Sequence, residues 1–192
     1  MRLLSERFEQ ALLYAHELHG DQYRKGTPVP YMAHLMGVAS LVLEYGGDEE
    51  QAIAALLHDA IEDCGHLTSY EEIRRRFGHR VTEIVHACTD ADTTPRPPWL
   101  ERKAAYVARV DREPADARLV SAADKLYNVR TVLKDYRQTG HVVWQRYTGD
   151  AADVLWYYRA LVTAFRTAGS HPIVDELDRA VTQLEEVVAL TR

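Results

Sequence analysis

The sequence predicts an all-α protein of about eight or nine helices. Apolar residues recur at intervals of three and four residues through most of the 192-residue chain, which is helical spacing. No long segment alternates apolar and polar residues in the manner of a strand. Clusters of glycine or proline interrupt the helical spacing at residues 20–30, 46–47 and 90–98, where we expect loops. A chain of this length is one domain by default, so residues 1–192 are expected to form a single helical domain.

The bounds of each helix are set where the apolar spacing begins and where glycine or proline stops it. The expected segments are residues 4–18, 31–45, 48–61, 68–77, 81–88, 100–110, 117–136, 150–168 and 172–190.

Residues with known end preferences mark several of these helices. Asp48 suits the N-cap of the third helix, after Gly46-Gly47 has ended the second. The segment Thr68-Ser69-Tyr70-Glu71 has capping-box spacing and should open the fourth helix. Gly78 should end that helix in a left-handed conformation, and Pro172 suits the first turn of the last helix.

The composition excludes several classes of protein. Hydrophobic residues make up 46% and charged residues 27%, which excludes a disordered or collagen-like chain. A net charge of −6 argues against a nucleic-acid partner but is compatible with a small phosphorylated ligand. No apolar stretch approaches the roughly 20 residues of a membrane span, and residues 1–6 do not resemble a secretory signal. Cys64 and Cys88 are too few for a disulfide framework, so we expect buried, reduced thiols in a cytoplasmic protein.

Polar residues follow or interrupt apolar runs at three places. His58-Asp59 follows the run Ala54-Ala55-Leu56-Leu57, Asp124 follows a similar run, and His34 lies in an otherwise apolar segment. Burying such groups costs on the order of several kcal/mol unless a partner compensates, and a metal ion is one such partner. Each group alone fits a satisfied core residue, but their joint occurrence favours a metal site. Two imidazoles and two carboxylates suit Mn²⁺, Fe²⁺ or Zn²⁺ better than Ca²⁺ or Mg²⁺.

Helix spacing adds three further candidates beside these residues. Glu62 and Asp63 each follow a member of the His58-Asp59 pair by four residues, so both carboxylates should return to the same side one turn later. Acidic residues at a helix C-terminus oppose the helix dipole, which favours a functional role as a general acid/base pair. Asn128 shares a face with Asp124 and is expected to hydrogen-bond a substrate.

Several positive side chains lie in or near the expected loops. A guanidinium can stack on a purine or form two hydrogen bonds to a phosphate, and a lysine acts as a point charge. Taken singly, each is also consistent with an ordinary solvated surface charge. The candidates for substrate binding are Arg24, Lys25, Arg96, Arg102, Lys103 and Arg146.

These residues resemble those of a known family. The pattern His34, His58-Asp59 and Asp124 is similar to the His…His-Asp…Asp pattern of the HD phosphohydrolase superfamily. From about residue 8 to 165, the surrounding segments resemble the hydrolase domain of RelA/SpoT-type alarmone enzymes. Those segments are Gln22-Tyr23-Arg24-Lys25, Pro30-Tyr31-x-x-His34, Leu56-Leu57-His58-Asp59-x-x-Glu62-Asp63, Phe77-Gly78 and Ala123-Asp124-Lys125-Leu126-Tyr127-Asn128.

The resemblance implies an all-helical HD domain and a stand-alone small alarmone hydrolase similar to metazoan SpoT homologs. It implies Mn²⁺-dependent removal of the 3′-pyrophosphate from ppGpp or pppGpp, giving GDP or GTP and pyrophosphate, within the stringent response. The implied metal ligands are His34, His58, Asp59 and Asp124. Glu62 and Asp63 would activate water, whereas Arg24, Lys25 and Asn128 would bind the nucleotide.

Two departures from the family pattern leave the nucleotide open. Many members have a lysine in the segment that precedes the last aspartate, where this chain has Ser121-Ala122-Ala123, so that charge is either missing or supplied elsewhere, for example by Arg96 or Arg146. The loop segment Gly26–Pro30 also varies in length across the family.

Other functions are compatible with the same residues. An HD hydrolase could act on an adenine analogue such as (p)ppApp, or on a 2′- or 3′-phosphorylated cofactor such as NADPH. A non-catalytic nucleotide-binding module is disfavoured, because such modules usually lose a metal ligand or the acid/base pair. Here the four implied ligands and both members of the pair are present: His34, His58, Asp59, Asp124, Glu62 and Asp63. A homo-oligomer is also compatible with the sequence.

Overall fold

The protein is all-α in the part of the chain that the structure describes. The structure is a computed structural model that describes residues 4–90, 95 and 97–190. Within these residues the α-helices are α1 Glu6–His19, α2 Tyr31–Glu44, α3 Glu49–Leu57, α4 Ala60–Cys64, α5 Tyr70–Phe77, α6 His79–Cys88, α7 Trp99–Val110, α8 Ala115–Thr139, α9 Ala151–Ala168 and α10 Pro172–Leu190. A 3-10 helix covers Gly140–Arg146, and an isolated antiparallel bridge pairs Tyr23 with Pro30. The predicted fold class is confirmed.

Every predicted helix has a counterpart, but the third is divided in two. α3 ends at Leu57, and α4 begins at Ala60 after a break at His58-Asp59. Asp59 has φ −96° and ψ −1°, so its backbone leaves the regular helical conformation there. The apolar spacing does not show this break, because it continues from α3 into α4 as far as Ile61.

The predicted caps are present, with one shift. The Asp48 side chain accepts a 3.0 Å hydrogen bond from Gln51 N, and the Gln51 side chain accepts one of 2.9 Å from Asp48 N, which completes a capping box. Ser69 rather than Thr68 caps α5, accepting from Glu72 N at 3.2 Å. Gly78 has φ +86°, in the region that favours glycine.

The chain divides into two compact units. Of the described residues, the first unit contains 4–90, 95 and 114–123, and the second contains 97–113 and 124–190. In the first unit, α3 packs against α1, α2 and α6, and every residue from Gln51 to Leu57 is buried. In the second unit, α9 packs against α7 and α10, around buried side chains that include Leu161 and Leu177. Cys64 and Cys88 are free and buried, as predicted.

Arg80 of α6 fixes the beginning of α3 within the first unit. Its guanidinium lies 2.6 Å from Asp48 Oδ2, 3.1 Å from Glu50 Oε2 and 2.8 Å from Asp116 Oδ2. Because the group is partly exposed, each ion pair contributes little alone, but the shared guanidinium constrains three carboxylates at once. Helix α3, whose last residue precedes His58, is therefore held at its start. None of the described helices combines the length and the apolar character needed to cross a membrane.

Leu56→Ala should lower the free energy of unfolding by about 2–5 kcal/mol, because it opens a cavity in the fully buried helix α3. Urea denaturation followed by circular dichroism measures this change. Leu13→Ala in α1 is the matched control: its side chain is 66% exposed, so the change should stay within about 0.5 kcal/mol. Equal effects of the two substitutions would contradict the placement of α3 in the core.

Candidate metal centre

His58 lies at the buried end of α3, with its ring oriented by the backbone. Its Nδ1 donates a 2.8 Å hydrogen bond to the carbonyl oxygen of Ala55. When the ring is neutral, as it must be to bind a metal ion, its lone pair is therefore on Nε2, which lies 3.2 Å from Asp59 Oδ2. A metal-binding histidine commonly donates its other nitrogen to a backbone carbonyl in this way.

His34, in the first turn of α2, completes a group of three. It is 1% exposed, and its Nε2 lies 3.4 Å from Asp59 Oδ2. One ligand atom from each of His34, His58 and Asp59 lies within 4.8 Å of the others. Two imidazole nitrogens and a carboxylate oxygen at this separation can hold one divalent transition-metal ion.

The electrostatics of the group favour the ligand form of Asp59. Burial raises the pKa of its carboxyl group, but the charges and hydrogen bonds of His58 and His34 outweigh burial and hold the pKa well below its usual range. Asp59 is therefore a carboxylate, the form that binds a cation. The Tyr31 hydroxyl donates to Asp59 Oδ2 at 2.6 Å. Burial, followed by the negative charges of Asp59 and Asp63, raises the pKa of Tyr31, so its hydroxyl stays protonated and remains a donor.

Glu62 and Asp63 lie in the first turn of α4. The argument that they oppose a helix dipole is wrong, because the break at Asp59 places them near a helix start, where acidic side chains are favoured. Asp63 is exposed and Glu62 is half-buried. Asp63 lies near the candidate centre, since its charge contributes to the raised pKa of Tyr31.

Asp124 belongs to the second unit, on α8. It is 5% exposed, and its Oδ1 accepts a 2.6 Å hydrogen bond from Asn128 Nδ2. Its Oδ2 accepts from Lys125 Nζ, which also lies 5.1 Å from the centre of the Tyr106 ring. Asn128, predicted to contact a substrate, thus donates to the predicted ligand one turn before it. Lys125 had no role in the sequence prediction, although it stands within the quoted motif.

The loop between α1 and α2 places Arg24 against the ring of Tyr31. Arg24 N donates to Val29 O at 2.8 Å and Tyr31 N donates to Gln22 O at 2.9 Å, so the loop folds as a narrow hairpin. The Arg24 guanidinium carbon lies 5.4 Å from the centre of the Tyr31 ring, within the range of a cation–π contact. Lys25 is exposed in the same loop.

The other predicted substrate-binding residues lie elsewhere in the chain. Lys103 and half-buried Arg102 are on α7 of the second unit, where Lys103 Nζ lies 5.0 Å from the centre of the Tyr157 ring. Arg146, also in the second unit, donates to Asp135 Oδ2 at 2.6 Å. Arg96 lies outside the described residues.

Sequence reasoning missed Tyr31 and His19. Tyr31 stands within a quoted motif, but an aromatic residue at a helix start and a histidine at a helix end carry no distinctive spacing. His19 is fully buried, and its ring is stacked 5.1 Å from that of Tyr31. His19 Nδ1 donates to Gln22 Oε1 at 2.8 Å, so it is a satisfied core histidine, and its neighbour Tyr31 is a donor to Asp59.

Comparison with known proteins places this site in a family. The profile of the HD domain matches residues 11–148. The chain belongs to the HD-domain family. Its relatives include the guanosine-3′,5′-bis(diphosphate) 3′-pyrophosphohydrolase of Xenopus tropicalis, 40% identical over 128 residues that cover 65% of this chain and 69% of the frog protein. The human enzyme of the same name is 37% identical over 63% of this chain and 66% of its own length. The enzyme of that activity from Aquifex aeolicus is 47% identical over 44% of this chain and 12% of its own length.

Two solved structures are similar to this chain over most of its length. A structure of a metazoan ortholog of SpoT, described as hydrolysing ppGpp, superposes with a TM-score of 0.78 at 26% identity, covering 96% of this chain and 98% of that one. A crystal structure from Listeria monocytogenes gives a TM-score of 0.71 at 29% identity, covering 80% of this chain and 99% of that one. The predicted resemblance to the RelA/SpoT-type hydrolase domain is confirmed.

His34→Ala should reduce the affinity for Mn²⁺ by more than about a hundredfold, because a lost ligand costs more than the roughly 10–100-fold that follows loss of a residue behind a ligand. Isothermal titration with Mn²⁺ measures the dissociation constant. His79→Ala, which removes an exposed histidine of α6, is the control and should leave the affinity unchanged. An unaltered dissociation constant in His34→Ala would remove this residue from the ligand set.

Proposed function

We propose that this protein is a metal-dependent hydrolase that removes the 3′-pyrophosphate from ppGpp or pppGpp, giving GDP or GTP and pyrophosphate. One observation carries the proposal. The grouped side chains of His34, His58 and Asp59 occur in an HD-domain chain that is 40% identical to a guanosine-3′,5′-bis(diphosphate) 3′-pyrophosphohydrolase. The geometry supports a metal-dependent reaction, and the relatives support the substrate.

The whole chain is proposed to act as one HD domain. The family profile over residues 11–148 includes residues of both compact units. The superposition on the metazoan SpoT ortholog extends over 96% of this chain.

The proposed metal ion is Mn²⁺, held by His34, His58 and Asp59, with Asp124 as the fourth ligand. The mixed nitrogen and oxygen donors support Mn²⁺ or a related transition metal over Ca²⁺ and Mg²⁺. Asp124 is proposed on the sequence pattern of the family. When bound, such an ion would polarise a phosphate oxygen and lower the pKa of water.

Glu62 and Asp63 are proposed to handle the protons of the reaction. The oxygen of a water molecule forms a bond to the proximal phosphorus of the 3′-pyrophosphate, and the bond from that phosphorus to the ribose 3′-oxygen breaks. The carboxylate pair accepts one proton from the water and returns a proton to the leaving 3′-oxygen, so no net proton remains on the pair. The products are therefore GDP or GTP and pyrophosphate.

Arg24 is the best supported of the proposed nucleotide contacts, because its guanidinium lies against the ring of Tyr31, whose hydroxyl donates to Asp59. A planar guanidinium in this position can stack on the guanine base or bind a phosphate. The other proposed contacts rest on the sequence. They are Lys25, Asn128, Arg96, Arg102, Lys103 and Arg146.

The substrate class and the free, buried thiols of Cys64 and Cys88 support a cytoplasmic enzyme of the stringent response. Its proposed partner is the nucleotide itself, and a homo-oligomer stays a prediction.

Purified protein with ppGpp and Mn²⁺ should produce GDP and pyrophosphate, resolved by ion-exchange chromatography. Asp124→Ala should lose activity and metal while keeping most of its helical content, because it removes a ligand without touching the core of the first unit. ATP-derived and 2′-phosphorylated nucleotides in the same assay test the substrate class. Survival of ppGpp alongside turnover of an adenine nucleotide would overturn the proposed substrate, and unchanged metal stoichiometry in Asp124→Ala would remove the fourth ligand.

The double variant Glu62→Ala, Asp63→Ala should keep its metal but turn over ppGpp about 10²–10⁴-fold more slowly, the scale of a lost acid/base function. Single-turnover kinetics at saturating Mn²⁺ measure the chemical step. Glu83→Ala, an exposed acidic side chain of α6, controls for the change in surface charge. Near-normal turnover in the double variant would exclude these carboxylates from the reaction.

A further inference from the structure

Tyr31, at the start of α2, contacts three parts of the candidate site. Its hydroxyl donates a 2.6 Å hydrogen bond to Asp59 Oδ2. The centre of its ring lies 5.5 Å from that of His34 and 5.4 Å from the guanidinium carbon of Arg24. We propose that Tyr31 is a positioning residue with two functions: its hydroxyl orients Asp59 as a metal ligand, and its ring holds Arg24 beside the metal centre. The inference rests on the proposed metal site.

Asp59 needs an external partner because the helix does not hold it. It stands in the break between α3 and α4 with ψ −1°, and its side chain is 21% exposed. A carboxylate in such a turn can rotate about its terminal bond and present either oxygen to an ion. The hydrogen bond from Tyr31 selects one rotation, as partners behind a ligand do in protein metal sites.

Tyr31 can act in this way because its own ring is fixed from the other side. The ring of His19, which is fully buried, is stacked on it at 5.1 Å with 12° between the planes. His19 Nδ1 in turn donates to Gln22 Oε1 at 2.8 Å, and Gln22 O accepts from Tyr31 N at 2.9 Å. Side chain and backbone of Tyr31 are thus tied to one short segment of the chain.

The same segment carries Arg24. Its backbone pairs with Val29 across the hairpin, and its guanidinium lies over the Tyr31 ring. The hydroxyl of Tyr31 therefore acts on Asp59, while the ring acts on Arg24. Substitutions that remove the hydroxyl alone, or the hydroxyl and the aromatic ring together, separate the two functions.

Tyr31→Phe should raise the dissociation constant for Mn²⁺ about 10–100-fold, measured by isothermal titration without substrate. Because the ring remains, activity should recover when Mn²⁺ is in excess, and KM for ppGpp at saturating Mn²⁺ should stay close to that of the wild type. Tyr31→Leu, which also removes the ring, should raise KM even at saturating Mn²⁺. Thermal melts of both variants confirm that each is folded before binding is measured.

Tyr14→Phe is the matched control in the same unit. Tyr14 is 5% exposed, its hydroxyl donates to Thr68 Oγ1 at 2.7 Å, and Arg76 lies 4.2 Å from the centre of its ring. It thus combines a buried hydroxyl donor with a cation–π contact, but in the α1–α5 region. Tyr14→Phe should lose a similar amount of stability and keep the wild-type affinity for Mn²⁺.

The outcomes separate this inference from the proposed function. If the wild type binds no Mn²⁺, the metal site itself fails and the inference fails with it. If the wild type binds Mn²⁺ and Tyr31→Phe binds it equally well, or no worse than Tyr14→Phe, the positioning role is wrong while the proposed function stands. If KM at saturating Mn²⁺ is the same in Tyr31→Leu and Tyr31→Phe, the ring does not hold Arg24.

Discussion

The candidate site depends on the burial of α3 and on its end at His58-Asp59. Every residue from Gln51 to Leu57 is buried, so the helix delivers His58 into the interior of the first unit. There the carbonyl of Ala55 accepts a hydrogen bond from Nδ1 of His58, which directs Nε2 toward Asp59. The backbone leaves the regular helical conformation at Asp59, and the carboxylate of Asp59 lies beside both histidines.

The helices and most caps were predictable because they depend on local chemistry. The N-cap at Asp48 and the left-handed Gly78 follow from residue type alone. The break at Asp59 does not, because the apolar spacing continues through it without interruption as far as Ile61. The dipole argument for Glu62 and Asp63 failed for the same reason, since it assumed one continuous helix.

The candidate ligands could be predicted in part, and their surroundings could not. His34 and His58-Asp59 are polar residues beside apolar runs, and this contrast is visible in the sequence. Tyr31 and His19 meet across a hairpin whose closure depends on backbone pairing. The spacing of apolar residues in the sequence does not predict that contact. The sequence therefore indicates which atoms can bind an ion, whereas the structure shows which hydroxyl donates to one of them, the carboxylate of Asp59.

The physical cost of this arrangement argues for catalysis over simple nucleotide binding. Two nearly inaccessible imidazoles beside an ionised carboxylate lose hydration that apolar side chains of similar size would not need. A module that bound nucleotides through surface arginines would be more stable without the two buried imidazoles and the carboxylate. A divalent ion reverses this balance, because it compensates the carboxylate and uses the lone pairs of both rings. The proposed nucleotide contact Arg24 and the proposed ligand Asp59 both contact Tyr31, one at its ring and the other at its hydroxyl. A link of this kind suits hydrolysis of a nucleotide pyrophosphate, because the phosphate and the water must meet at one place.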